Sequence, residues 1–111
     1  MVTMRISELT VDPSLYPRSH IDRHRVNLYA QAMRGGIKFP PITVATVDQK
    51  PGIIIDGVHR FEARKLLKRE SIEVEDKGEM TRAQAFAEAV RLNARHGKPL
   101  TKGDRLAAYK R

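Results

Sequence analysis

An α+β fold, a small mixed sheet flanked by helices, is what this 111-residue sequence predicts, and three observations carry the prediction. Apolar residues recur at the 3–4 spacing of a buried helix face at Val26, Tyr29, Ala30 and Met33. Two β-branched runs, ITVATV at 42–47 and IIID at 53–56, read as strands, with DQKPG between them as a loop of hairpin length. The pair Thr81-x-x-Gln84 is a capping box, in which each side chain satisfies the other residue's backbone donor at the start of a helix. A chain of this length has room for one hydrophobic core, so these elements close on one another as a single domain.

Taken in order, residues 4–9 (MRISEL) alternate weakly and read as a short strand. The stretch VDPSLYPRS is a loop, because Pro13 and Pro17 fit neither a helix interior nor a central strand. Asp22 caps a helix running to Arg34, and Gly35-Gly36 stops it. Pro40-Pro41 leads into the first strand of the hairpin. Beyond the hairpin, residues 57–70 (GVHRFEARKLLKRE) read as a helix with Phe61, Leu66 and Leu67 on its apolar side. SIEVE (71–75) alternates as a further strand, and Lys77-Gly78 breaks the chain. The helix opened by Thr81 runs to His96, where Gly97 closes it and Pro99 prevents its resumption. Thr101 caps another helix that Arg111 cuts short, so residues 1–97 read as the domain and 98–111 as the start of a following helical segment.

Composition removes several classes of function. With 41% hydrophobic and 31% charged residues the chain is globular, and with 5% aromatics its core is aliphatic. No uncharged apolar run approaches the ~20 residues of a membrane helix, and MVTMRISELT lacks the apolar stretch of a secretory signal. A cytoplasmic protein without membrane attachment is expected. The absence of cysteine excludes disulfides and thiol chemistry. Twenty-one Lys and Arg against thirteen Asp and Glu give a net charge of +8, a field that favours phosphates. The cations cluster: five against two Glu from Gly57 to Glu70, and seven against one Asp from Arg91 to Arg111.

The chemistry concentrates in Ile53-Ile54-Ile55-Asp56-Gly57-Val58-His59-Arg60, an apolar strand that passes through Asp-Gly directly into a basic helix. A helix's first turn exposes unpaired N–H groups and the positive end of its dipole, so it is a ready anion site. Gly57 lets an anion approach the backbone, and His59 and Arg60 reach the same anion. Arg60 is the stronger ligand because its planar fork grips two phosphate oxygens. Cations in a first turn are unfavourable by roughly 0.3–1 kcal/mol each, and a bound anion would offset that. The alternative for this pattern alone is an ordinary Asp-Gly turn with a solvated Arg60. His20 and His24, four apart, lack an evident third metal ligand. Glu62 is weighed as a base for phosphoryl transfer against a surface carboxylate paired with a cation. Arg64, Lys65, Lys68 and Arg69 are candidates for a DNA backbone, with a solvated helix face as the alternative.

Several segments, in order, resemble the ParB/sulfiredoxin superfamily. Arg5-Ile6 through Pro17-Arg18 is similar to its opening strand and Pro-rich loop, and the 26–33 helix, Gly36 and Pro41-Ile42-Thr43-Val44 to the passage that follows. Gly57-Val58-His59-Arg60 takes the place of the Gly-Glu-Arg-Arg box of ParB proteins, and Leu92-Asn93-Ala94-Arg95-His96 that of the later Asn/Arg box. The resemblance implies a compact ParB-like domain that binds CTP, with magnesium, hydrolyses it slowly, and serves a DNA-binding partition or transcription-regulator protein. It implies phosphate contacts from Gly57, Val58, His59, Arg60, Asn93, Arg95 and His96. The base would lie near Gly36 and Pro41, with Arg18 closing over the site. DNA in the full-length context and a homodimer are the implied partners.

Departures from the pattern narrow these implications. Val58 stands where sulfiredoxins carry their cysteine, which excludes sulfiredoxin activity. His59 replaces an arginine, and Leu92 stands where ParB proteins usually have a metal-supporting Glu. No metal ligand is therefore assigned. Relatives with an Asp-Gly-His-His-Arg box phosphorylate a free amino acid, so a small-molecule phosphotransferase using Asp56 or Glu8 is the second reading. A nuclease ranks last for want of a carboxylate cluster. Arg60→Ala is expected to abolish nucleotide binding with the fold intact.

Overall fold

Four strands and three helices build the domain in the computed structural model, which describes residues 2–96 apart from the side chains of residues 18 and 93–96. They follow one another as β1 (Val2–Arg5), α1 (Arg23–Arg34), β2 (Ile42–Val47), β3 (Lys50–Asp56), α2 (Val58–Leu66), β4 (Ser71–Met80) and α3 (Arg82–His96). The sheet order is β1-β4-β2-β3. The outer pairs β1–β4 and β2–β3 are antiparallel and the central pair β2–β4 is parallel, so the sheet is mixed. Residues 98–111, read as a following segment, lie outside the described residues.

The side-chain alternation of the strands explains the layering. Ile42, Val44 and Ile54 point to one face, where they meet Val58 and Phe61 of α2 together with Ile72 and Val74. Ala45, Val47, Ile53 and Ile55 point to the other, against Ala85 and Ala89 of α3 and Leu15. A strand covered on both faces needs apolar residues at successive positions, hence the runs at 42–47 and 53–56. α1 lies outside α2, with Val26, Ala30 and Met33 closing on Ala63. The two helix starts read from sequence form as expected. Asp22 accepts N–H bonds from His24 and Arg25 at 3.0 and 3.2 Å, and Thr81 and Gln84 make both bonds of the capping box, at 2.8 and 3.1 Å.

Four boundaries differ from the sequence reading. The 4–9 strand is β1 followed by a 3-10 turn over Ile6–Glu8, closed by Glu8 accepting the Arg5 N–H at 3.2 Å. The hairpin loop is two residues, Asp48 and Gln49, with φ of 52° and 67°, the left-handed pair that matches strand twist. Pro51 therefore falls inside β3, which tolerates it as an edge strand. α2 ends at Leu66 rather than residue 70 because Lys68 turns left-handed at φ 59°. Its N–H bonds to Lys65 O, and that of Arg69 to Arg64 O, each at 3.0 Å, which is a Schellman closure made without glycine. Lys77-Gly78 does not end β4. Between the pairs Val44–Asp76 and Thr46–Glu79, β4 advances by one residue more than β2, and Gly78 (φ 80°) absorbs it as a bulge.

Candidate functional site

The passage from β3 into α2 turns at Gly57, with φ 100°, and glycine is required there for two reasons. The backbone is left-handed, and a Cβ would stand 2.4 Å from Ile42 Cγ2 and 3.0 Å from Arg60 Nη2. The glycine thus lets the turn press onto the core strand β2, which is a different reason from the anion approach expected from sequence. Having no side chain, it also leaves the first N–H groups of α2 without a side-chain cap.

A cleft of about 240 Å³ opens at this helix start. Arg25, His59 and Arg60 line it together with Tyr29, Phe39 and Pro40, the Tyr29 and Phe39 rings 5.0 Å apart. Tyr16 meets the His59 ring edge-on at 6.0 Å. His59 Nε2 accepts the Asp22 N–H at 3.0 Å, tying the start of α2 to the start of α1. Burial, and then the Arg25 charge, push the His59 pKa below the ordinary histidine value. Accepting the Asp22 N–H requires an unprotonated Nε2, which leaves Nδ1–H as the ring's donor.

Arg60 is placed differently from a solvated anion ligand. Its Nη1 donates to the carbonyls of Pro40 and Pro41 at 2.9 and 3.1 Å, and its Nη2 pairs with Asp56 at 3.2 Å. Both charged side chains are largely buried, 13% and 12% exposed. The cation in the first turn of α2 is thus offset within the protein by Asp56. The expectation that Arg60→Ala leaves the fold intact is corrected accordingly, since this side chain clamps the 40–41 loop to α2.

The other sequence candidates separate. Gly57, Val58, His59 and Arg60 meet at the cleft. Pro41 contributes its carbonyl to Arg60, and Gly36 lines a neighbouring cleft that shares Pro40 and Arg60 with the first. The side chains of Arg18, Asn93, Arg95 and His96 lie outside those described. Glu62 does not line the cleft; it is largely buried and pairs with Arg23 at 3.2 Å. Glu8 is spent on the Arg5 amide. The four proposed DNA-backbone cations do not form one stripe. Arg64 and Arg69 line the cleft of Gly36, Lys65 lies 5.7 Å over the Phe61 ring beside another, and Lys68 is exposed at the helix closure.

Sequence reasoning missed Arg25, Tyr29 and Phe39. Arg25 carries the same signal that singled out Arg60: a cation in the first turn of a helix that has no acidic residue there. Asp56 is the cleft's carboxylate among the described residues, and it is already paired with Arg60. No group of three or more metal-ligating side chains occurs among the described residues.

Solved structures share this architecture. Sulfiredoxin from Arabidopsis thaliana superposes with a TM-score of 0.61 at 20% identity, over 79% of this chain and 97% of its own. The C-terminally truncated chromosome-partitioning protein ParB from Caulobacter crescentus, complexed with CTP-gamma-S, gives 0.69 at 17% identity, over 98% of this chain and 60% of its own. The same protein complexed to the centromeric parS site gives 0.69 at 16%, over 99% and 55%. The chain thus spans little more than half the length of those ParB chains. No curated protein matches the sequence. No described helix is long and apolar enough to cross a membrane. The model of the ParB N-terminal domain matches residues 1–91, so the mixed sheet, the Gly57 turn and the cleft above it belong to a chain of the ParB N-terminal domain family.

Proposed function

We propose that the cleft at the start of α2 binds a nucleoside triphosphate, CTP first, as the nucleotide module of a DNA-associated partition protein. The observation that carries this is the meeting, in one cleft at a helix N-terminus, of the cationic Arg25 and Arg60 with the aromatic pair Tyr29 and Phe39. Phosphates meet the N–H groups of Val58, His59 and Arg60, the Arg25 guanidinium and His59 Nδ1–H. A base lies against Phe39 and Tyr29, beside Pro40. Asn93, Arg95, His96 and Arg18 are carried into the site by the resemblance, as further phosphate contacts and a closing loop. The ParB complexes with CTP-gamma-S and with parS support a nucleotide and DNA as ligands.

Thermal melting against CTP, ATP, GTP and UTP, with and without magnesium, tests the reading. A ligand at 100 times its Kd stabilises by about 2.7 kcal/mol, a rise of roughly ten degrees or more. A CTP-selective rise supports the module. An ATP-selective rise moves the assignment to the phosphotransferase reading, for which Asp56 stands in the cleft. No rise with any nucleotide contradicts both.

A further inference from the structure

Beside the first cleft, and separated from it by Arg60 and Pro40, lies a second of about 450 Å³ between the 36–40 loop, the C-terminal half of α2 and the start of β4. Lys38, Arg64 and Arg69 line it, and among the described residues none of the three forms an ion pair. The acid facing them is Glu73, while Arg60 is offset by Asp56. Arg64 Nε is buried and has no hydrogen-bond partner among the described residues. Folded proteins leave few buried donors unmet, and an unmet one commonly marks a ligand or an ordered water. Thr3 and Ser71 also line it. Ile37, 60% exposed, forms an apolar lip.

We infer that this cleft is a second anion site, one that takes the phosphate group of a phosphate ester on Arg64, Arg69 and Lys38. Three cations crowded into one concavity repel one another, and a phosphate removes that repulsion. Guanidinium groups supply paired donors that match its oxygens, and Ile37 accommodates an apolar or planar body attached to it. Two sources present this chemistry: a nucleic-acid backbone and a small phosphorylated molecule. The inference does not rest on the nucleotide reading, because its ligating cations lie outside the first cleft.

The test is amide spectroscopy of the ¹⁵N-labelled protein titrated with inorganic pyrophosphate. Shifts are expected at Lys38 and at residues 71–73, and these are lost in Arg64→Gln/Arg69→Gln. Any shifts at residues 58–60 persist in that variant. The single Arg69→Gln, at an exposed position, guards against a folding defect in the double variant. Shifts at the second set with none at 58–60 would sustain this site and sink the nucleotide reading. To separate the sources, a 20-base-pair duplex is titrated at several salt concentrations. A backbone source lowers the salt slope of the double variant by about 1.8, from ~0.9 per lost phosphate contact. An unchanged slope with the pyrophosphate shifts lost assigns a small phosphate ester. No pyrophosphate shift at Lys38 and 71–73, or shifts that survive both substitutions, overturns the inference.

Discussion

Replacing Gly57 with alanine probes the turn on which the cleft depends. The new Cβ would sit 2.4 Å from Ile42 Cγ2 and 2.8 Å from Ile42 Cβ, atoms of a side chain that is fully buried and has no room to retreat. The left-handed backbone adds roughly 1–2 kcal/mol for a residue with a Cβ. Crowding in a packed core adds roughly 1–3 kcal/mol. Together the loss is about 2–5 kcal/mol, and at 4–8 °C per kcal/mol the melting temperature falls by about 8 °C or more. Gly78→Ala is the matched control, because Gly78 is also left-handed (φ 80°) but a Cβ there meets nothing within 4 Å. It should show the backbone part alone, roughly 1–2 kcal/mol. Urea and thermal unfolding of the two variants measure the difference. Equal losses would refute the claim that Gly57 exists to let the turn press on Ile42.

Three more outcomes follow from the same contacts. Arg60→Ala should destabilise the domain by on the order of 3 kcal/mol, since it removes one partner of a largely buried pair together with two carbonyl bonds; an unchanged urea midpoint would contradict this. The His59 pKa is depressed in the fold, so the unfolded chain takes up the proton first. Its contribution is present above about pH 6.5 and is lost as pH falls through the lower folded value. Melting curves of wild type and His59→Gln should therefore converge on acidification, and a constant gap between them would exclude the effect. Thr81→Ala removes a helix cap and should cost about 1 kcal/mol, read as a lower melting temperature.

Local chemistry made much of the fold legible. Asp22, Thr81 and Gln84 announce their helices because a cap acts within three residues of itself. The β-branched runs announce central strands because burial on both faces leaves few other choices. What escaped depends on distant partners. Lys68 closes α2 in a conformation usual for glycine, and nothing in its neighbourhood marks it. The bulge at Gly78 is visible only against the register of β2. In the site, the helix start at Gly57 was legible, whereas the partners of Arg60 were not. Pro40 and Pro41 precede it by about 20 residues and meet it through carbonyls, which no side-chain pattern encodes. Phe39 and Tyr29 are apolar-face residues by periodicity, and only packing shows that they face an open cleft.

Calorimetric titration of CTP into the wild-type protein and Arg25→Gln tests the nucleotide cleft most directly. Arg25 is exposed, and its substitution leaves the Arg60 clamp and the Gly57 turn untouched. Loss of one charge-assisted phosphate contact, about 1.5–3 kcal/mol, predicts a Kd raised roughly 10- to 150-fold with the melting temperature of the free protein unchanged. Identical CTP affinities in the two proteins, or no heat with either, would contradict the account.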